Sequence, residues 1–361
     1  MTDKDSFAYL ERMVSTPSAT GTEWQVASIV RERLGEVSDE IRTDVMGSVH
    51  ATLFGTAHET TEEVPRVMIA AHMDEIGFMV NYIDDDGFLY FKTVGGVDAA
   101  LLPGLRMDVH TAQGDLRGVV GRMPIHLVPA DERKQVAPIE KLCIDLGLPA
   151  EEVKERVRIG DTITYGVGLE FFGDDLIVSR ALDDKSCVFI ATRVMEELQA
   201  RGRAAADCIF AATVQEEIGL RGGETSAFSD DPDIAIAFDV THATDYPGVD
   251  KAKHGSVKLG SGPVIARGPN INPVVFERLV AAAEAEGIPY QLEAEPGVTG
   301  TDAGAMQVQR GGIATGVLSL PLRYMHTPNE VISMKDVEAS IKLLTRFIKD
   351  LEPDLSFVPG M

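Results

Sequence analysis

Several short apolar runs along this chain stop abruptly at acids or histidines. Val67-Met68-Ile69-Ala70-Ala71 runs into His72 and Asp74, Cys208 to Val214 into Glu216-Glu217, and Ile234 to Phe238 into Asp239. Thr315 to Leu320 leads, after a short link, to His326. Continuous apolar runs of this length, bounded by Gly, Pro and polar residues, read as strands buried on both faces of a parallel or mixed sheet. The pattern predicts strands at 49–54, 66–71, 208–214, 234–238 and 313–320. Between them the apolar period lengthens to that of helices. Thr22 with Gln25 reads as a capping box opening a helix to about Leu34, with Gly35 as its stop. Further helices are predicted at about 185–200, after Asn272-Pro273, and from a Ser333 and Asp336 cap to about Leu351.

From about Gly77 to Gly168 the texture changes. Short alternating runs such as Gly87-Phe88-Leu89-Tyr90-Phe91 and Arg117-Gly118-Val119-Val120 recur between Gly, Asp and Pro, as in a small β-rich domain. Only Pro138 to Arg156 looks helical within it. The expected fold class is therefore α/β: a mixed-sheet domain built from 1–77 and 169–361, interrupted by an inserted β-rich domain at 78–168. A chain of 361 residues suits two such domains. The insertion's strands look too short to bury a strong core alone, so part of its apolar surface is expected to serve a neighbouring subunit.

Charge narrows the partners. With 33 basic against 57 acidic residues, a formal charge of −24, a nucleic-acid backbone or an anionic membrane is a poor match. No apolar stretch is long enough to span a bilayer, and the amino terminus leads into an amphipathic pattern without a secretory leader. The three cysteines, Cys143, Cys187 and Cys208, show no metal-ligand spacing. A cytoplasmic protein is expected.

The acids and histidines at the strand ends supply the candidate chemistry. In open α/β sheets ligands bind beyond the carboxyl ends of the strands, so His72, Glu216, Glu217, Asp239 and His326, with Asp183-Asp184, could converge on one crevice. Oxygen and nitrogen donors suit zinc, cobalt or manganese better than a thiolate site does. Asp74, two residues beyond His72, is placed to hold the far nitrogen of a metal-bound imidazole. Each residue also has an ordinary reading. Asp183-Asp184 suit a helix amino terminus, Asp74 a turn, and His326 a loop. The adjacent Glu216-Glu217 are harder to explain as bystanders, because buried charge is costly unless paired or metal-bound. The chain lacks a phosphate-binding G-x-x-x-x-G-K-[ST] loop, a G-x-S-x-G elbow and an H-E-x-x-H helix.

Taken together, Ala71-His72-Met73-Asp74-Glu75-Ile76-Gly77, Ala181-Leu182-Asp183-Asp184-Lys185, Gln215-Glu216-Glu217-Ile218-Gly219, Phe238-Asp239-Val240-Thr241, Thr301-Asp302-Ala303-Gly304 and Arg323-Tyr324-Met325-His326-Thr327-Pro328 resemble, in this order, the M42 family of metallo-aminopeptidases. That family includes the tetrahedral and the glutamyl aminopeptidases. The resemblance implies two divalent metal ions per subunit, usually zinc or cobalt. Asp183 would bridge both, His72 and Asp239 would complete one site, and Glu217 and His326 the other. Asp74 would support His72. Glu216 would be the general base, taking a proton from a metal-bridged water and passing it to the leaving amine. The substrates would be short peptides with a free amino terminus, and the insertion would drive assembly to dimers and a tetrahedral dodecamer. The same donors would also serve a dinuclear amidohydrolase or carboxypeptidase. A glycosidase using Glu216 and Glu217 fits less well, since carboxyls flanking a sugar stand roughly 5–9.5 Å apart on opposite sides of the bond. A non-enzymatic alternative is an acidic shell protein whose metals are structural.

Overall fold

The computed structural model describes residues 4–61 and 63–360. The chain begins with helices α1 (Lys4–Ser15) and α2 (Trp24–Leu34), an antiparallel pair β1 (Glu40–Thr43) and β2 (Val49–Leu53), and β3 (Arg66–His72). It then leaves this layer. Strands β4 (Gly77–Ile83), β5 (Leu89–Val94), β6 (Arg106–Thr111), β7 (Gly114–Gly121), β8 (Cys143–Asp145) and β9 (Thr162–Tyr165) close into a barrel in the order β4-β5-β8-β7-β6-β9, with α3 (Ala150–Arg156) between the last two in sequence. The hairpin β10 (Glu170–Phe172) and β11 (Leu176–Ser179) leads back to α4 (Leu182–Arg201) and β12 (Asp207–Thr213). The remainder comprises α5 (Arg221–Asp230), β13 (Ile234–His242), α6 (Lys251–His254), β14 (Val264–Arg267), α7 (Pro273–Glu286), β15 (Gln291–Ala294), α8 (Asp302–Met306), β16 (Ala314–Leu322), β17 (Glu330–Ser333) and α9 (Met334–Lys349).

Eight strands form one mixed sheet in the order β1-β2-β12-β3-β13-β16-β14-β15. Its centre, β12-β3-β13-β16, is parallel throughout. That is why these four strands read as unbroken apolar runs: helices cover them, α4 packing on β3, β12 and β13, and α5 and α8 packing on β12, β13 and β16. Every residue of β12 is buried, as are all but the first of β3. A second apolar core lies inside the barrel, where Phe78 meets Phe91 and Tyr165 edge to face at 5.4 and 5.5 Å. The barrel thus encloses a core of its own.

Three local expectations need correction. The stretch Pro138 to Arg156 is α-helical only over α3, with a single 3-10 turn at Ile139–Lys141, because β8 intervenes and Gly147, at φ +66°, and Pro149 interrupt it. Thr22 does not cap α2: its hydroxyl donates to the Ala19 carbonyl at 2.6 Å, and Glu23 occupies the cap position. Ser333 does cap α9, accepting from the Lys335 amide, but Asp336 accepts instead from the amides of Gly260 and Gly262, both at 2.7 Å.

Candidate metal centre

Because the four central strands run the same way, their carboxyl ends open on one crevice. His72 is the last residue of β3 and Asp239 lies on the adjacent β13, opposite Ser319 of β16. Glu216 and Glu217 follow β12 after a turn at Gln215, whose φ is +57°. His326 sits in the loop after β16 at φ +61°. Asp183 lies in the first turn of α4 with non-helical dihedrals, φ −80° and ψ 103°.

The side chains meet in two groups that share one residue. His72 Nε2 lies 3.2 Å from Asp183 Oδ1 and 3.9 Å from Asp239 Oδ1. His326 Nε2 lies 3.3 Å from Asp183 Oδ2 and 3.4 Å from Glu217 Oε1. Each trio offers one imidazole nitrogen and two carboxylate oxygens within 4.8 Å of one another. Glu216 belongs to neither trio, its Oε2 standing 4.0 Å from His72 Nε2.

Backbone hydrogen bonds hold these residues. The Asp74 carboxylate accepts from the amides of Glu216 (3.0 Å) and Glu217 (3.2 Å) and from the Thr20 hydroxyl (2.8 Å). The ring of His72 is nearest, through Nδ1, to the Asp74 carbonyl at 3.0 Å, with the Asp74 carboxylate at 3.5 Å. Asp184 Oδ2 accepts from the His72 amide. The barrel contributes a wall: a Cβ at Gly96 would lie 3.0 Å from His326 Nδ1, and one at Gly95 would lie 3.4 Å from Glu217 Oε2.

The site is rich in carboxylates, with histidines as their partners. Among the described residues, the ionic partners of Asp183, Glu216, Glu217 and Asp239 are His72 and His326, with no lysine or arginine. Burial pushes the Glu216 carboxyl up to about 10; His72 opposes this, and Asp239 and Asp302 add to it. Burial also raises Glu217, and takes Asp239 to about 7. Asp183 behaves oppositely: burial would raise it, but hydrogen bonds with His326 and His72 hold it well below the usual carboxylate range. His326 is raised to about 11, as Asp183 and Glu217 outweigh the effect of burial. The upward shifts of Glu216, Glu217 and Asp239 are what buried carboxyls crowded together show, and His72 and His326 are their counter-groups.

Comparison with known proteins identifies the family. The family model described as M42 glutamyl aminopeptidase matches residues 51–343. The chain belongs to the M42 aminopeptidase family. It is accordingly an enzyme of the peptide-hydrolase class. The lysyl aminopeptidase of Pyrococcus furiosus is 37% identical over 355 residues, covering 97% of this chain and 98% of the relative. Among solved structures, the aminopeptidase APDkam598 of Desulfurococcus kamchatkensis is 36% identical with a TM-score of 0.89, over 97% of this chain and 96% of that one. The TET1 peptidase of Pyrococcus horikoshii, which can assemble into a tetrahedron or a large octahedral shell, is 30% identical with a TM-score of 0.84, over 96% of this chain and all of that one (100%).

All eight residues singled out in the sequence of this M42 chain, His72, Asp74, Asp183, Asp184, Glu216, Glu217, Asp239 and His326, thus lie at one crevice. Sequence reasoning missed Glu330, Thr20 and Gly95-Gly96, which touch the same residues. The doubled glycine was the one available signal, since it permits close approach.

Proposed function

We propose that this chain is a dinuclear metal-dependent aminopeptidase that removes amino-terminal residues from short peptides. The observation that carries this reading is the pair of donor trios sharing Asp183, in a member of the M42 family. His72, Asp183 and Asp239 would hold one ion, and Asp183, Glu217 and His326 the other. The donors fit such ions: nitrogen and carboxylate together suit zinc or cobalt first, and manganese next. When bound, the ions supply Lewis acidity, polarising a carbonyl and bringing the pKa of water towards neutrality.

The protein's own groups do the rest. Glu216, outside both trios but beside His72, is free to accept a proton from the attacking water and return it to the leaving amine. Dications beside it would reverse the upward push on its pKa, leaving it a carboxylate able to act as base. Asp74 grips the amides of Glu216 and Glu217 together, which keeps the base and its neighbouring ligand in fixed relation. Beyond Asp239, β13 continues to His242, which lines a cavity of about 1060 Å³ with room for a peptide side chain. Self-association through the barrel, to dimers and a tetrahedral dodecamer, is supported by the TET1 relative and by exposed Met123, Ile125 and Leu127. Three free cysteines support a reducing, cytoplasmic location.

The test compares one peptide with a free and with an acetylated amino terminus, using enzyme stripped by chelator and then reloaded with zinc or cobalt. Cleavage of the free-amine peptide alone, lost on stripping and restored on reloading, is the expected result. Equal cleavage of the acetylated peptide would favour an amidohydrolase or endopeptidase instead.

A further inference from the structure

Glu330 opens β17, is 2% exposed, and belongs to neither donor trio. Its two carboxylate oxygens are divided between two backbone amides. Oε2 accepts from the Asp183 amide at 3.1 Å, and Oε1 from the His326 amide at 2.9 Å. Those amides belong to segments remote in sequence, the first turn of α4 and the loop after β16. Both residues lie in the same trio, with Glu217.

Neither segment is held by regular secondary structure at that point. Asp183 departs from helical dihedrals within α4, and His326 occupies the left-handed region, which persists in a non-glycine residue only where its surroundings impose it. Glu330 itself is firmly placed. It pairs with Ser179 of β11 in the β-ladder, and its neighbour Val331 exchanges both backbone hydrogen bonds with Arg323, three residues before His326. A buried carboxylate whose two oxygens each accept from a backbone amide of one trio is suited to setting the spacing between them.

We infer that Glu330 is a positioning residue for the Asp183, Glu217 and His326 site, fixing the separation of Asp183 and His326 and thereby the affinity of that site for its ion. The inference rests on the dinuclear reading above. It calls for zinc titrations of wild type, E330A, E330Q, H326A and the double variant E330A/H326A, by competition with a chelating dye, alongside melting of each metal-free chain.

In E330A one of the two zinc ions should bind about 10–100-fold more weakly while the other keeps its wild-type affinity. E330Q retains one acceptor oxygen and should fall between the two. Adding E330A to H326A should cost little more, because both act on one site. Excess zinc should restore kcat in E330A, as loss of a merely structural contact would not allow. Wild-type affinity for both ions in E330A, or equal weakening of both, would overturn the inference while leaving the dinuclear enzyme standing. If E330A does not fold, wild-type zinc affinity in E330Q would overturn it. A wild-type chain that binds fewer than two ions would overturn the dinuclear reading and this inference together.

Discussion

Glu216 and Glu217 are adjacent in sequence yet face different partners. Glu217 lies against His326 and within a donor trio, whereas Glu216 stands apart, near His72. Glu216→Gln should therefore lower kcat by roughly 10²–10⁴ while both ions remain bound, and Glu217→Gln should release one of them. Steady-state kinetics with metal analysis of both variants checks this, and equal metal loss in the two would reverse the assignment. Both acids were legible because a charge at the end of a buried strand demands a partner. Glu330 was not, since Thr327-Pro328-Asn329 before it reads as an ordinary turn and nothing local shows which remote amides its carboxylate meets. The companion of His72 was legible only in part. Asp74 was expected beside the ring, but its carboxylate spans two amides that no sequence spacing reveals.

At the scale of elements, the exit of β3 is fastened to α4 and to the segment after α1 by one buried carboxylate. Glu75 accepts from Arg180, from Lys185 Nζ at 2.9 Å and from the Ser18 amide at 3.0 Å, while Arg180 and Lys185 also donate to the carbonyls of Ser15 and Thr16. Burial would raise the Glu75 carboxyl, but Arg180 and Lys185 hold it down to about 2. Lys185 is itself lowered to about 8, because burial and then the competing Arg180 outweigh the attraction of the single carboxylate that both cations share. Glu75→Gln should cost about 3–5 kcal/mol at neutral pH by leaving buried cations uncompensated. The depressed carboxyl makes this contribution complete above its unfolded value of 4.5 and lost as the pH falls through about 2, so wild type and variant should converge in acid. Denaturant unfolding at pH 7 and at steps from pH 4.5 down to about 2 measures it, and a difference that stays constant across that range would exclude this origin. The same competition explains the failed caps. Thr22 and Asp336 carry local helix-start signals, but each finds a partner outside its helix, and a sequence window registers only the local one.

For the whole molecule, the change of texture after Gly77 announced the barrel, because alternating short runs and frequent turns record pairing at close range. Closure was hidden, since it depends on β4 meeting β9 across the insertion. The barrel's apolar excess lies outside its core: Met123, Ile125, Leu127 and Val136 are exposed between β7 and β8, Leu127 at 71%. If this face joins subunits, Ile125→Asp with Leu127→Asp should shift the protein to smaller species in light scattering while each chain keeps its metals; an unchanged assembly would place the contact elsewhere. The barrel also reaches the crevice, where a Cβ at Gly96 would press on the His326 ring at 3.0 Å and one at Gly95 would meet Ile76 at 2.7 Å beside Glu217. The insertion is therefore no interchangeable cassette. A chimera carrying a relative's barrel would exchange part of the wall beside His326 and Glu217 along with the barrel's outer face, so that the two could not be altered independently.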